Sequence, residues 1–213
     1  MSLADLEQAG FDVQTESHAR AILTTDFPEP LRELCEILME FRISDVELIR
    51  GGGGEAKFTQ RLRRSLTNLG WLKQNIEIKK IVDGIERAAT THAIDHVRKT
   101  DNGTIALEIE WNNKDPFFDR DLENFQRLHS EGAISLGIIV SRGQSLQQNL
   151  AQIVKTCAVN HDVRGVTDLI QFGLNPTRRQ TLMLRDATED FVDAWASKFV
   201  LDKFGSSTTH WKN

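Results

Sequence analysis

Three shortages narrow what this chain can be. Cys35 and Cys157 are its only cysteines, it has no long apolar run, and its charge is not basic. Two cysteines without a C-x-x-C pair argue for a reducing cytoplasm and against a structural zinc site. No stretch approaches the length of a membrane helix, so no membrane partner is expected. A net charge of −5 gives no global basic field for nucleic acid or membrane, although acids elsewhere can mask a local basic patch. The opening "MSLADLEQAGFDVQ" is acidic and lacks the apolar stretch of a signal or transit peptide. No repeat and no low-complexity linker is present. The six histidines are scattered, without H-x-x-x-H or H-E-x-x-H spacing. The glycine run 51–54 precedes Glu55, Ala56, Lys57 and Phe58 and lacks the Gly-Lys-Ser/Thr of a nucleotide-binding loop.

What is present describes a globular protein: 39% apolar and 27% charged residues in 213. That length suits one large domain, or a domain with appendages, and is enough for a real core. Apolar spacing predicts helices over 28–42, from Phe58 to about Leu69, over 117–132, 144–158 and 187–204. Strands are predicted at 75–84, 92–99, 104–111 and 133–142, the last apolar enough to be covered on both faces. Residues 163–185 read as a short helix, a loop and a strand. The order predicts an α/β fold, a mixed central sheet flanked by helices, with helical N- and C-terminal parts.

The informative stretch is "AIDHVRKTDNGTIALEIEWNNKD", residues 93–115. Asn102-Gly103 predicts a type I′ hairpin turn, because both central residues must accept positive φ. With those two at the turn centre, Asp101 pairs with Thr104, Val97 with Glu108 and Asp95 with Glu110. Paired residues and residues two apart share a face. Asp95, Glu108 and Glu110 then share one face, while Ile105, Leu107, Ile109 and Trp111 take the core face. A bulge would shift this register.

Three close carboxylates repel unless a cation sits among them. Oxygen ligands without thiolate or paired imidazole favour Mg²⁺, with Mn²⁺ as a substitute, over Zn²⁺. Such a site suits metal-dependent phosphodiester hydrolysis. The competing reading is an ordinary acidic face in solvent. His96 neighbours Asp95 and points the other way, as a packed or solvated histidine.

An Asp at a strand end, a turn, then an apolar strand carrying Glu-x-(Lys/Gln/Glu) resembles the PD-(D/E)XK nucleases. Most members have Lys where Glu110 stands. The BamHI–BglII–BstYI group of type II restriction endonucleases departs in the same way, with Glu or Gln. The similarity spans about residues 55–142, including "FTQRLRRSLTNLGW" upstream and "NNKDPFFDRDLENFQRLHSEGAISLGIIVSR" downstream. It implies a restriction-endonuclease-like core cleaving double-stranded DNA at a short palindrome with Mg²⁺, as a cytoplasmic homodimer. Asp95 and Glu108 would bind metal, with the carbonyl of Ile109 as a further ligand. Glu110 would position or deprotonate the attacking water. The hairpin is longer than in some relatives, which leaves Asp83 or Asp101 as alternative first acids. Glu55, at a helix start, is a secondary metal candidate, as a helix Glu is in many such nucleases. The resemblance makes 1–213 a single nuclease domain, with 55–142 as catalytic core and 143–213 as recognition and dimerisation elements.

Candidate DNA contacts follow from side-chain chemistry. Lys57 and Arg61, on a helix with Arg63 and Arg64, suit phosphates, or form a solvated face. Asn112, Asn113 and Lys114 follow the catalytic strand, and Arg142 follows the buried one. Asn175, Arg178, Arg179 and Gln180 combine the side chains favoured for adenine and guanine edges, or make an ordinary basic turn.

Overall fold

A computed structural model describes residues 1–50, 55–111 and 115–204, the side chains of 115–118 and 202–204 excepted. The chain forms two compact units: residues 1–41 with 59–142, and residues 42–58 with 143–213.

The first unit holds a four-stranded sheet in the order β1-β2-β3-β4. β1 (Leu72–Val82), β2 (Ile85–Thr100) and β3 (Gly103–Glu110) run antiparallel in turn, and β4 (Leu136–Ser141) lies parallel to β3. The parallel pair needs a crossover, which α6 (Asp115–Ser130) supplies. β3 alternates, and each face is buried against something different. Ile105, Leu107 and Ile109 pack with α1 (Leu3–Gln8), α2 (Ala19–Thr25), α3 (Pro28–Glu40) and α5 (Lys57–Asn68). Ala106 packs on the opposite face with Ile94, Val97, and Phe125 and Leu128 of α6. Gly137 of β4 admits Phe125, whose ring atoms would lie 2.5 Å from any added Cβ.

The mixed sheet between helices is the expected fold. Several boundaries differ from expectation. β1 and β2 are longer than predicted and meet in a tight turn at Asp83 (φ 53°) and Gly84 (φ 77°). The positive-φ hairpin turn is therefore here, not at residues 102–103. The outer part of this hairpin is exposed on both faces, so it lacks the alternation that reveals a strand. The turn into β3 centres on Asp101 and Asn102, with Thr100 opposite Gly103. Neither Asp101 nor Asn102 has positive φ; Gly103 does, at 141°. Three contacts hold that choice. Thr100 Oγ1 donates to the Gly103 carbonyl at 3.2 Å, and Asn102 Nδ2 donates to the Asp26 carbonyl at 2.6 Å. A Cβ on Gly103 would lie 2.2 Å from Ser135 Oγ. Leu69, expected on the buried face of α5, lies past its end and is exposed, while Leu62 and Leu66 are buried.

The second unit contains α4 (Asp45–Ile49), α7 (Gln144–Asn160), a 3₁₀ turn (Val166–Phe172), α8 (Arg178–Arg185) and α9 (Phe191–Phe204). Leu150, Val154, Cys157, Leu169, Phe172, Leu184, Trp195 and Phe199 are buried here. Phe172 stacks on Trp195 at 6.1 Å. The strand expected near 180 is α8 instead. Thr177 and Gln180 form a capping box that starts a helix, with Gln180 N donating to Thr177 Oγ1 and Thr177 N to Gln180 Oε1.

Candidate active site

Asp95 sits at a bulge in the β1–β2 pairing. Leu72 pairs with Val97 and Gln74 with Ile94, so Lys73 alone faces both Asp95 and His96. Such an insertion re-aims side chains. Its trace is visible in burial, where His92 and Ile94 alternate before His96 and Val97 are buried consecutively. With β3 the pairing runs from Thr100↔Gly103 to His96↔Leu107. The expected register is therefore displaced by two residues. Asp95 stands beside Glu108, not opposite Glu110, and its backbone N–H donates to Glu108 Oε1 at 3.2 Å. A two-residue displacement preserves the faces, so Glu108 and Glu110 remain together on the α6 side, with Ala106.

Asp95 is half-exposed and paired with Lys73, Nζ to Oδ1 at 2.9 Å. Glu108 is buried, 7% exposed. Its pKa is raised to about 7, first by burial and then by the nearby Asp95 and Asp121 charges, against the lowering hydrogen bond from Asp95 N–H. Glu110 is raised to about 8 by burial, then by its hydrogen bond and repulsion with Asp121. His96 is fully buried, and desolvation lowers its pKa, so it is a neutral packed ring.

Asp121 is the residue that sequence reasoning missed. It projects from α6, is 4% exposed, and its Oδ2 meets no donor; nor does Glu110 Oε2. Its other oxygen accepts from Arg120 at 3.0 Å. Two buried carboxylate oxygens without a donor need a shared proton or a cation. The signal was present as an acid on the buried side of a helix, near Phe125 and Leu128, but three other acids, Asp115, Asp119 and Glu123, share that helix.

The face therefore carries Asp95, Glu108, Glu110 and Asp121, with Lys73 and Arg120 as neighbouring cations. All four acids are oxygen donors, and two buried oxygens lack a partner, which fits a hard divalent cation. Among the described residues, the cluster with three ligand atoms mutually within 4.8 Å is elsewhere: Asp45, Cys157 and His161. Ile109, the proposed carbonyl ligand, pairs with Val140 in the β3–β4 ladder. Asp83 and Asp101 both occupy hairpin turns. Glu55 is exposed and belongs to the second unit.

The candidate DNA contacts are dispersed. Lys57 is exposed at the start of α5, and Arg61 is half-buried one turn on. Arg142 is half-buried after β4, and desolvation lowers it to about 10. Asn175, Arg178 and Arg179 are exposed at the start of α8, and Gln180 serves that helix's cap. Asn112, Asn113 and Lys114 lie outside the described residues, as does the glycine run 51–54.

A family model described as restriction endonuclease BglII/BglIII matches residues 11–213. No curated protein and no solved structure matches the chain.

Proposed function

Because the chain belongs to the BglII/BglIII restriction endonuclease family, and so is a type II sequence-specific DNA endonuclease, we propose that its hydrolytic site is the carboxylate face of the β2–β3 hairpin. Enzymes of this family generally use divalent metal ions. Here the ion is Mg²⁺, with Mn²⁺ as substitute, held by Asp95, Glu108 and the carbonyl of Ile109. Asp121 completes the acidic set. The observation that most supports this is the buried pair of donorless oxygens on Glu110 and Asp121, beside a Glu108 hydrogen-bonded to Asp95. When bound, the cation stabilises charge on the scissile phosphate and acidifies water.

The chain's own groups have distinct tasks. Glu110 stands where most PD-(D/E)XK nucleases carry Lys. A carboxylate raised toward neutral pH is matched to accept a proton from the attacking water. Asp121 fixes the orientation of Glu110. Lys73 neutralises Asp95 and holds it toward the site. Water adds to phosphorus and the 3′ oxygen leaves, giving 5′-phosphate and 3′-hydroxyl ends. Lys57, Arg61 and Arg142 are assigned to phosphates, and Asn112, Asn113, Lys114, Asn175, Arg178 and Arg179 to recognition. The substrate is double-stranded DNA with a short palindrome, cut by a homodimer whose two-fold symmetry matches it. We place catalysis within 55–142, and recognition and dimerisation within 143–213. The setting is the cytoplasm; no described helix is long and apolar enough to cross a membrane.

The test is incubation of purified protein with a large unmethylated DNA of known sequence, with Mg²⁺ or with EDTA. Discrete fragments are expected with Mg²⁺ alone, and end-sequencing yields the site. Equal cleavage in EDTA rejects the metal assignment, and a smear rejects the palindrome.

A further inference from the structure

In the second unit three different donors converge from two helices. Asp45 is the first residue of α4, Cys157 lies in the last turn of α7, and His161 caps that helix. A carboxylate oxygen, the sulfur and a ring nitrogen all lie within 4.8 Å of one another. Cys157 and His161 are four apart, so the helix sets them on one face. Residue 161 is also fixed by its backbone. Its N–H donates to the Cys157 carbonyl at 3.0 Å, and the chain then reverses through Asp162 at φ 50°. Val163 N–H returns to the Ala158 carbonyl at 2.9 Å. The imidazole stands edge-on to Phe172, ring centroids 5.5 Å apart.

The donor set is specific in its chemistry. One thiolate, one imidazole and one carboxylate suit a borderline-soft ion of tetrahedral habit, and are a poor match for Mg²⁺ or Ca²⁺. Cys157 is fully buried, which shields its sulfur from external electrophiles and oxidants. His161 is exposed, so an ion has a route in and a coordination position open to water.

We propose that Asp45, Cys157 and His161 form a Zn²⁺ site that fastens α4 to α7 within the second unit, separate in its residues and its metal preference from the hairpin carboxylates. Binding releases the Cys157 thiol proton, and sulfur, nitrogen and oxygen each supply a lone pair to the ion. The cysteine count argued against a structural zinc site because it looks for paired cysteines. This set has one, and its third ligand comes from a distant part of the sequence.

The experiment titrates the reduced, EDTA-stripped full chain with Co²⁺ and records its absorption. The expected result is a sulfur-to-cobalt charge-transfer band with intense tetrahedral d–d bands, saturating at one Co²⁺ per chain and displaced by Zn²⁺. Cys157→Ala abolishes the charge-transfer band. The variant His161→Gln, at an exposed position, weakens Co²⁺ binding by roughly tenfold or more. Glu108→Gln leaves the band intact, so this site and the nuclease site fail independently. Absence of the charge-transfer band overturns the proposal. So does a band that persists in Cys157→Ala, or binding unchanged by His161→Gln.

Discussion

The backbone N–H of Asp95 donates to Oε1 of Glu108 at 3.2 Å, across thirteen residues of chain. The carboxylate placed at the centre of the site thus also ties the bulged strand to its neighbour. Removing Glu108 outright would confuse those two roles. Glu108→Gln keeps an acceptor for the Asp95 N–H and deletes only the charge. The variant is expected to fold and bind its DNA like the parent but to cleave at least about 100-fold more slowly, exceeding the usual effect of disturbing a ligand's support. Single-turnover cleavage beside an equilibrium binding assay measures both. Undiminished cleavage would remove Glu108 from the site.

The same face makes the metal-free protein pH-sensitive. Glu108 is raised to about 7 and Glu110 to about 8 by burial and by neighbouring acids. Unfolded, both titrate near about 4.3. Between those limits the folded chain holds more protons than the unfolded one, so stability falls as pH rises. The contribution is complete below the unfolded values and is lost through the folded ones. The Tm of the metal-free protein is expected to drop from about pH 5 to about pH 8, with a shallower slope in Glu108→Gln. A divalent cation should expel protons at neutral pH, seen as buffer-dependent heats of Ca²⁺ binding. A flat Tm profile would mean that the two carboxyls are not held protonated.

Much of this was legible in the sequence, and the losses have physical causes. The β3 alternation of Ile105, Leu107 and Ile109 fixed which face carries Glu108 and Glu110, because a period of two survives a displacement of two. The displacement was hidden because Asn102-Gly103 is a strong turn signal locally, while Ser135, Asp26 and Thr100 decide the turn through contacts made only in the folded state. The outer β1–β2 hairpin is exposed on both faces, so it has no hydrophobic period to read. Asp121 was missed because its helical spacing from Phe125 and Leu128 is a weak signal beside the exposed neighbours Asp119 and Glu123.

Asp121 can be separated from the other acids by its expected phenotype. Asp121→Asn keeps a partner for Glu110 and removes a charge. It is expected to shift the Mg²⁺ dependence of cleavage 10- to 100-fold toward higher concentration, on the order of the effect of groups that orient metal ligands. Cleavage should be largely restored by saturating metal. A metal dependence identical to the parent's would mean that Asp121 is a buried structural acid.

Recognition is tested at α8. Arg179 is exposed in its first turn, whereas Gln180 is engaged in the cap. If Arg179 reads a guanine, Arg179→Ala weakens specific binding by about 1–3 kcal/mol and relaxes preference at one base pair. If it meets a phosphate, affinity falls evenly across sequences and the salt dependence becomes shallower. Competition binding against single-substitution sites distinguishes these. Unchanged affinity on every site would exclude both.

Stability of the hairpin rests on a buried acid that the site does not use. Glu33 on α3 accepts from Trp71 Nε1 at 2.8 Å, and from Arg98 of β2 through Nε at 3.1 Å and a terminal guanidinium nitrogen at 2.7 Å. The pair is shielded, with Glu33 8% exposed, so deleting one partner strands the other. Glu33→Ala is expected to cost about 3–5 kcal/mol, leaving Arg98 without its counter-ion and Trp71 without an acceptor. Arg98→Met in that background should recover part of the loss, because it removes the stranded charge and keeps the apolar stem. Denaturant unfolding of the single and double variants measures the coupling. Additive losses would show that the two side chains stabilise the strand independently.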